Sequence, residues 1–76
     1  MELSVAAEQL AHLEDEADDA RMRALVSETP LAEQDKREAQ RHAAAMRRHR
    51  DDLLEEIRRL EASQDALLDR LPAVRP

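Results

Sequence analysis

Apolar and small side chains recur at alternating steps of three and four residues along most of this chain, with one interruption. This spacing places them on one stripe of an α-helix, here called the seam, as in a coiled coil. Before the interruption the seam consists of Leu3, Ala6, Leu10, Leu13, Ala17, Ala20, Ala24 and Ser27. After it the seam consists of Ala39, Ala43, Met46, Arg50, Leu53, Ile57, Leu60, Gln64, Leu67, Leu71 and Val74. The sequence therefore predicts two long amphipathic helices. Four further apolar residues lie off the first seam and are expected to thicken it near its ends: Val5, Met22, Leu25 and Val26.

The interruption is at Thr29 and Pro30, a pair typical of a helix N-cap followed by the first helical residue. Pro30 also disfavours helical geometry at the residue before it. We therefore expect one helix over about 4–28, a second over about 30–71, and a frayed tail over 72–76. So short a link usually joins antiparallel neighbours. The predicted fold is all-α: one domain, an antiparallel two-helix coiled-coil hairpin with a longer second helix.

The charges are divided between the two segments in a way that favours this hairpin. The chain has 18 acidic and 12 basic residues, with eight acids and two bases in residues 1–29, three acids and six bases in 30–50, and seven acids and four bases in 51–76. Folding back brings the acidic run 14–19 opposite the basic run 36–50, and exposed pairs of this kind add small attractions. The expected facing residues are Leu10 with Met46, Leu13 with Ala43, Ala17 with Ala39, and Leu3 with Leu53 or Ile57.

The second predicted helix is longer than the first, and its distal part has no partner in the same chain. Residues 58–71 should extend about 21 Å further, at 1.5 Å per residue. A two-helix hairpin of this size is also short of core. We therefore expect a homodimer, either a four-helix bundle or an extended coiled coil, in which the polar seam residues Arg50 and Gln64 set the register. The expected packing residues are Leu53, Ile57, Leu60, Leu67, Leu68 and Leu71.

Several classes of chemistry are disfavoured by the composition. The chain has no cysteine, glycine or aromatic residue, which excludes disulfide frameworks, glycine-rich phosphate loops and base-stacking platforms. The chain has three histidines, His12, His42 and His49, and none of them follows a glutamate by three residues, as the Glu-x-x-His motif of di-iron bundles requires. We expect solvated or salt-bridged histidines, no metal and no other cofactor. A thin hairpin also offers no enclosed pocket, so neither enzyme activity nor a small-molecule substrate is expected.

Three functions remain as candidates, and each requires recognition of a partner. The favoured function is an interaction or structural module that associates with itself and docks a protein partner. An alternative is a regulator that docks its hairpin tip, through Glu28, Glu33 and Asp35, on a larger machine such as RNA polymerase. Coiled-coil hairpins with acidic tips resemble its secondary-channel factors. Another is weak, salt-sensitive nucleic-acid binding by the cluster Arg47–Arg50, for which pairing with acids of the first helix is the favoured interpretation.

No apolar run approaches the roughly 18 residues that a membrane span needs, and Met1–Ser4 lacks the basic segment of a signal peptide. The expected compartment is the cytoplasm. Three stretches resemble small helical-hairpin proteins of actinobacteria, and this resemblance implies the same hairpin fold but no activity or site. They are Glu28-Thr-Pro-Leu-Ala-Glu33, Arg37-Glu-Ala-Gln-Arg-His42, and Leu60-Glu-Ala-Ser-Gln-Asp-Ala-Leu-Leu-Asp-Arg-Leu71.

Overall fold

A computed structural model describes residues 1–72 and contains two α-helices, α1 over Leu3–Ser27 and α2 over Pro30–Arg70. The two helices pack against each other, and the molecule measures 73 × 17 × 16 Å. The all-α two-helix hairpin predicted from the seam spacing is therefore confirmed, with the second helix the longer one. Most of the predicted tail, including Val74, lies outside the described residues.

The contact between α1 and α2 is built mainly from alanine. The buried residues are Ala6, Leu10, Ala20 and Ala24 in α1 and Ala43 in α2. Leu10, which is 3% exposed, is the one large side chain among these buried residues. Alanine has the highest helix propensity and lets two backbones approach closely, but it removes little apolar area from water. The hairpin therefore has well-formed helices around a thin core.

The link between the helices consists of Glu28 and Thr29. Glu28 ends α1 in the left-handed region, at φ 49° and ψ 34°, and its backbone N–H donates to the carbonyl oxygen of Ala24 at 3.1 Å. Thr29 caps α2 as predicted, because its hydroxyl oxygen accepts a hydrogen bond from the backbone N–H of Ala32 at 3.1 Å. Pro30 follows as the first helical residue, where its missing N–H leaves no bond unmade.

The left-handed conformation of Glu28 predicts a stabilising substitution. A side chain in this region costs about 1–2 kcal/mol through contact of Cβ with the backbone, and glycine avoids that cost. We expect Glu28→Gly to raise the free energy of unfolding by about 1 kcal/mol, measured by circular dichroism at one fixed protein concentration. Ser27→Gly, one residue earlier and inside α1, should lower it instead. Equal effects of the two substitutions would contradict this interpretation.

Residues near the middle of the hairpin share an open groove between the helices. Ala17 and Ala43 both line it, together with Gln40. The expected facing pairs, Ala17 with Ala39 and Leu13 with Ala43, stay predictions. Leu3 at the start of α1 and Ile57 in α2 are both half-buried, which is compatible with the alternative that Leu3 faces Ile57.

Candidate interaction surfaces

An interhelical ion pair lies beside the contact between α1 and α2. The Arg47 guanidinium donates a hydrogen bond from Nη2 to Glu14 Oε1 at 2.9 Å, and both side chains are about half exposed. Both line an open groove whose other walls are Ala17, Asp18, Arg21, Gln40 and Ala43. This is the pairing of acidic α1 with basic α2 that the charge pattern predicts. Arg47, one of the arginines considered for nucleic-acid binding, therefore forms an ion pair within the hairpin.

The pair of Glu14 with Arg47 should contribute only modestly to stability, because water screens half-exposed charges. We expect a double-mutant cycle with Glu14→Gln and Arg47→Gln to give a coupling of about 0.2–1 kcal/mol, which falls as salt is added. Urea unfolding of the four proteins at low and high salt measures it. A coupling that is independent of salt would contradict a screened ion pair.

The predicted register residues, Arg50 and Gln64, differ in their surroundings. Arg50 is half-buried on the seam, and its guanidinium donates from Nη2 and Nε to Asp51 Oδ1 of the same helix, at 2.8 and 3.0 Å. Gln64 is exposed, as is every described residue of α2 beyond Ile57. Arg50 therefore lies within the hairpin contact, whereas Gln64 lies on the part of α2 that α1 does not cover.

The predicted seam and packing residues divide at Ile57. Ser27, at the end of the first seam, is exposed, whereas the following residues up to Ile57 are buried or half-buried: Leu10, Leu13, Ala17, Ala39, Ala43, Met46, Leu53 and Ile57. Beyond it, Leu60, Leu67, Leu68 and Leu71 are 56–64% exposed. We call the surface formed by Leu60, Gln64, Leu67, Leu68 and Leu71 the distal stripe. The distal stripe continues the seam of α2, which α1 covers up to Ile57. No described part of the hairpin covers the distal stripe itself.

A second exposed apolar surface lies at the hairpin tip, on both sides of the link. It consists of Met22, Leu25, Val26 and Leu31, which are 58–86% exposed, and is here called the tip patch. The expectation that Met22, Leu25 and Val26 thicken the seam is therefore wrong. The seam spacing places all three residues on the outer side of α1, away from α2. The sequence alone therefore contained the signal that separates them from the seam.

The acidic residues predicted at the tip occupy two different settings. Glu28 and Asp35 are exposed, and Glu33 is half-buried. The Lys36 ammonium lies 2.8 Å from Glu33 Oε2, and its hydrogen bond lowers the pKa of that carboxyl. A lowered pKa means that the pair stabilises the fold at pH values above the usual carboxyl range. That contribution is lost as the pH falls through the lowered pKa.

His12 and its nearest acid lie on the same helix. His12 Nε2 lies 3.1 Å from Glu16 Oε1, one turn along α1, and both side chains are more than half exposed. Within residues 1–72, no group of three or more His, Asp or Glu side chains converges as metal ligands would. Over the same residues, neither helix has a stretch that is long and apolar enough to cross a membrane.

Comparison with protein families, with curated proteins and with solved structures found no match to this chain. The resemblance to actinobacterial hairpin proteins therefore stays a prediction.

Proposed function

We propose that this protein is a non-enzymatic interaction module that forms a homodimer through its distal stripe and docks a protein partner, with the cytoplasm as its compartment. The observation that carries the proposal is the exposure of Leu60, Leu67 and Leu68 on the distal part of α2, and of Leu71 at its C-cap. Side chains of this size gain about 1.5–3 kcal/mol when fully buried, so leaving them in water is unfavourable.

Two further features support self-association. The hairpin buries one leucine and four alanines among its described residues, a core too thin for most domains of this length. An isolated helical extension also gains most of its stability from packing against another element rather than from helix propensity. A second copy would supply that packing to the distal part of α2.

Sedimentation equilibrium of the unmodified chain tests this function. At micromolar concentration we expect a species of twice the 8.7 kDa chain mass, and circular dichroism should show it to be helical. A helical monomer over that concentration range would contradict the proposal. Since the dimer forms by mass action, its midpoint of thermal unfolding should also rise with protein concentration.

The tip patch supports a second candidate function, docking of the hairpin tip on another protein. Val26 is 86% exposed, and Leu25 and Leu31 are exposed beside the acidic residues Glu28 and Asp35. An apolar surface with a charged rim is typical of a protein contact. Pull-down with Glu28→Lys and Asp35→Lys separates this function from docking elsewhere, because a partner that both variants retain does not bind the tip.

A further inference from the structure

The distal stripe lies on the same side of α2 as the contact with α1. The seam runs through Ala43, Leu53 and Ile57, which α1 covers, and continues at the same spacing through Leu60 to Leu71. A helix that packs on the distal stripe must therefore lie in line with α1, beyond its first turn at Leu3. This position fits a helix that runs in the direction of α1, antiparallel to α2.

The distal part of α2 in a second copy fits that position. We infer that two copies pair their distal stripes antiparallel, so that residues 58–71 of each copy lie in line with α1 of the other. The product is one continuous two-stranded coiled coil with a two-fold axis between the copies. This inference rests on the proposed function and adds the orientation of the partner.

Parallel pairing of the distal stripes is sterically excluded. In a parallel pair the two α2 helices would face each other along their whole length, seam against seam. The α1 helices of both copies occupy that side of α2 up to Ile57, so they would collide. In the antiparallel pair the two α1 helices lie at opposite ends and never meet.

The heptad positions and the extent of α1 together define the register of the antiparallel pair. The seam spacing makes Leu60 and Leu67 d positions and Gln64 and Leu71 a positions, and core layers of such coiled coils join an a position to a d position of the other helix. Because α1 covers α2 up to Ile57, the longest such overlap that does not run into α1 places Leu60 opposite Leu71 of the second copy. The same register brings Gln64 opposite Leu67 of the second copy. On the two sides of this core, Glu61 lies beside Leu68 of the second copy and Arg70 lies beside Ser63 of the second copy. Residues of like charge therefore do not face each other there.

The charge distribution agrees with an overlap confined to the distal segments. Residues 58–72 carry three basic and three acidic side chains and have no net charge, so two such segments approach without net repulsion. Residues 1–29 carry eight acids and two bases, and a contact between α1 helices of two copies would be repulsive. The antiparallel pair keeps these acidic helices apart.

This arrangement makes the dimer a spacer with a hairpin tip at each end. Measured along α2 at 1.5 Å per residue, the tips lie about 105 Å apart. Each end presents one tip patch, so the dimer has two identical and widely separated surfaces for a protein partner. Two copies packed side by side over their whole length would instead be close to the 73 Å of one chain.

Disulfide trapping tests the orientation, since the chain has no cysteine of its own. Leu60→Cys and Leu71→Cys are oxidised separately and as an equimolar mixture. We expect disulfide-linked dimers in the mixture only, because the two positions meet only across the antiparallel pair and a disulfide requires Cα atoms about 4.4–6.8 Å apart. Linked dimers of either variant alone, or none in the mixture, would overturn the pairing.

Small-angle X-ray scattering of the unmodified chain provides a second measurement that needs no substitution. A dimer with a maximum dimension above about 100 Å supports the antiparallel pairing of the distal stripes. A dimer of about the length of one chain would contradict this pairing but would agree with the proposed homodimer. A monomer in sedimentation contradicts the proposed function itself, so the two failures are distinguishable.

Discussion

Leu67→Lys should dissociate the dimer. Leu67 is 62% exposed in the hairpin, and each dimer would bury two copies of it. Burying one leucine side chain contributes about 1.5–3 kcal/mol. Losing two of them, and burying two ammonium groups instead, should raise the dimer dissociation constant at least 100-fold, at 1.4 kcal/mol for each factor of ten. Sedimentation equilibrium at micromolar concentration measures the change.

Ala66→Lys is the matched control for this substitution. Ala66 is the neighbouring residue, it is exposed, and its heptad position lies on the outer side of α2. The Ala66→Lys variant carries the same added charge but leaves the distal stripe almost unchanged. Its dimer dissociation constant should therefore stay within a few-fold of that of the unmodified chain. Equal weakening by Leu67→Lys and Ala66→Lys would show that added charge, rather than lost burial, separates the copies.

Leu10→Ala should be the most destabilising single truncation in α1. Leu10 is the one large side chain among the buried residues of the hairpin. Replacing a buried leucine with alanine costs about 2–5 kcal/mol, through lost transfer energy and the cavity that remains. We expect a large loss of helicity near room temperature, measured by circular dichroism and urea unfolding.

The control for Leu10→Ala is Leu25→Ala, the same chemical change in the same helix. Leu25 is 64% exposed, and substitutions at such positions usually change stability by less than about 0.5 kcal/mol. If Leu25→Ala destabilised as much as Leu10→Ala, the tip patch would be covered in solution by something other than water. Both variants should be compared at equal protein concentration, because the dimer contributes to stability.

The helices and the link follow from local features of the sequence. Steps of three and four residues define the seam, and Thr29 with Pro30 marks the boundary that the structure contains. The same pattern predicts that α2 is longer than α1. Because α1 cannot reach the distal part of α2, the exposure of Leu60 and Leu67 follows as well. These features were predictable because each depends on neighbours within one or two helical turns.

The tip patch was not predicted correctly. Met22, Leu25 and Val26 lie off the seam and were expected to thicken it, because they are close to it in sequence. Their heptad positions lie on the outer side of α1, and the structure leaves all three exposed. The exact register of the helices could not be predicted, because it depends on how the chain crosses between the helix axes at Glu28 and Thr29, a three-dimensional property that spacing does not encode.

Amide hydrogen exchange along α2 tests the central claim most directly, that a second copy covers the part of this helix which α1 leaves exposed. At a concentration where the chain is dimeric, we predict that amides of residues 60–70 are protected to a similar extent as those of 39–57. On dilution the distal amides should lose protection first. Distal amides that exchange freely at every concentration, while residues 39–57 stay protected, would contradict the claim.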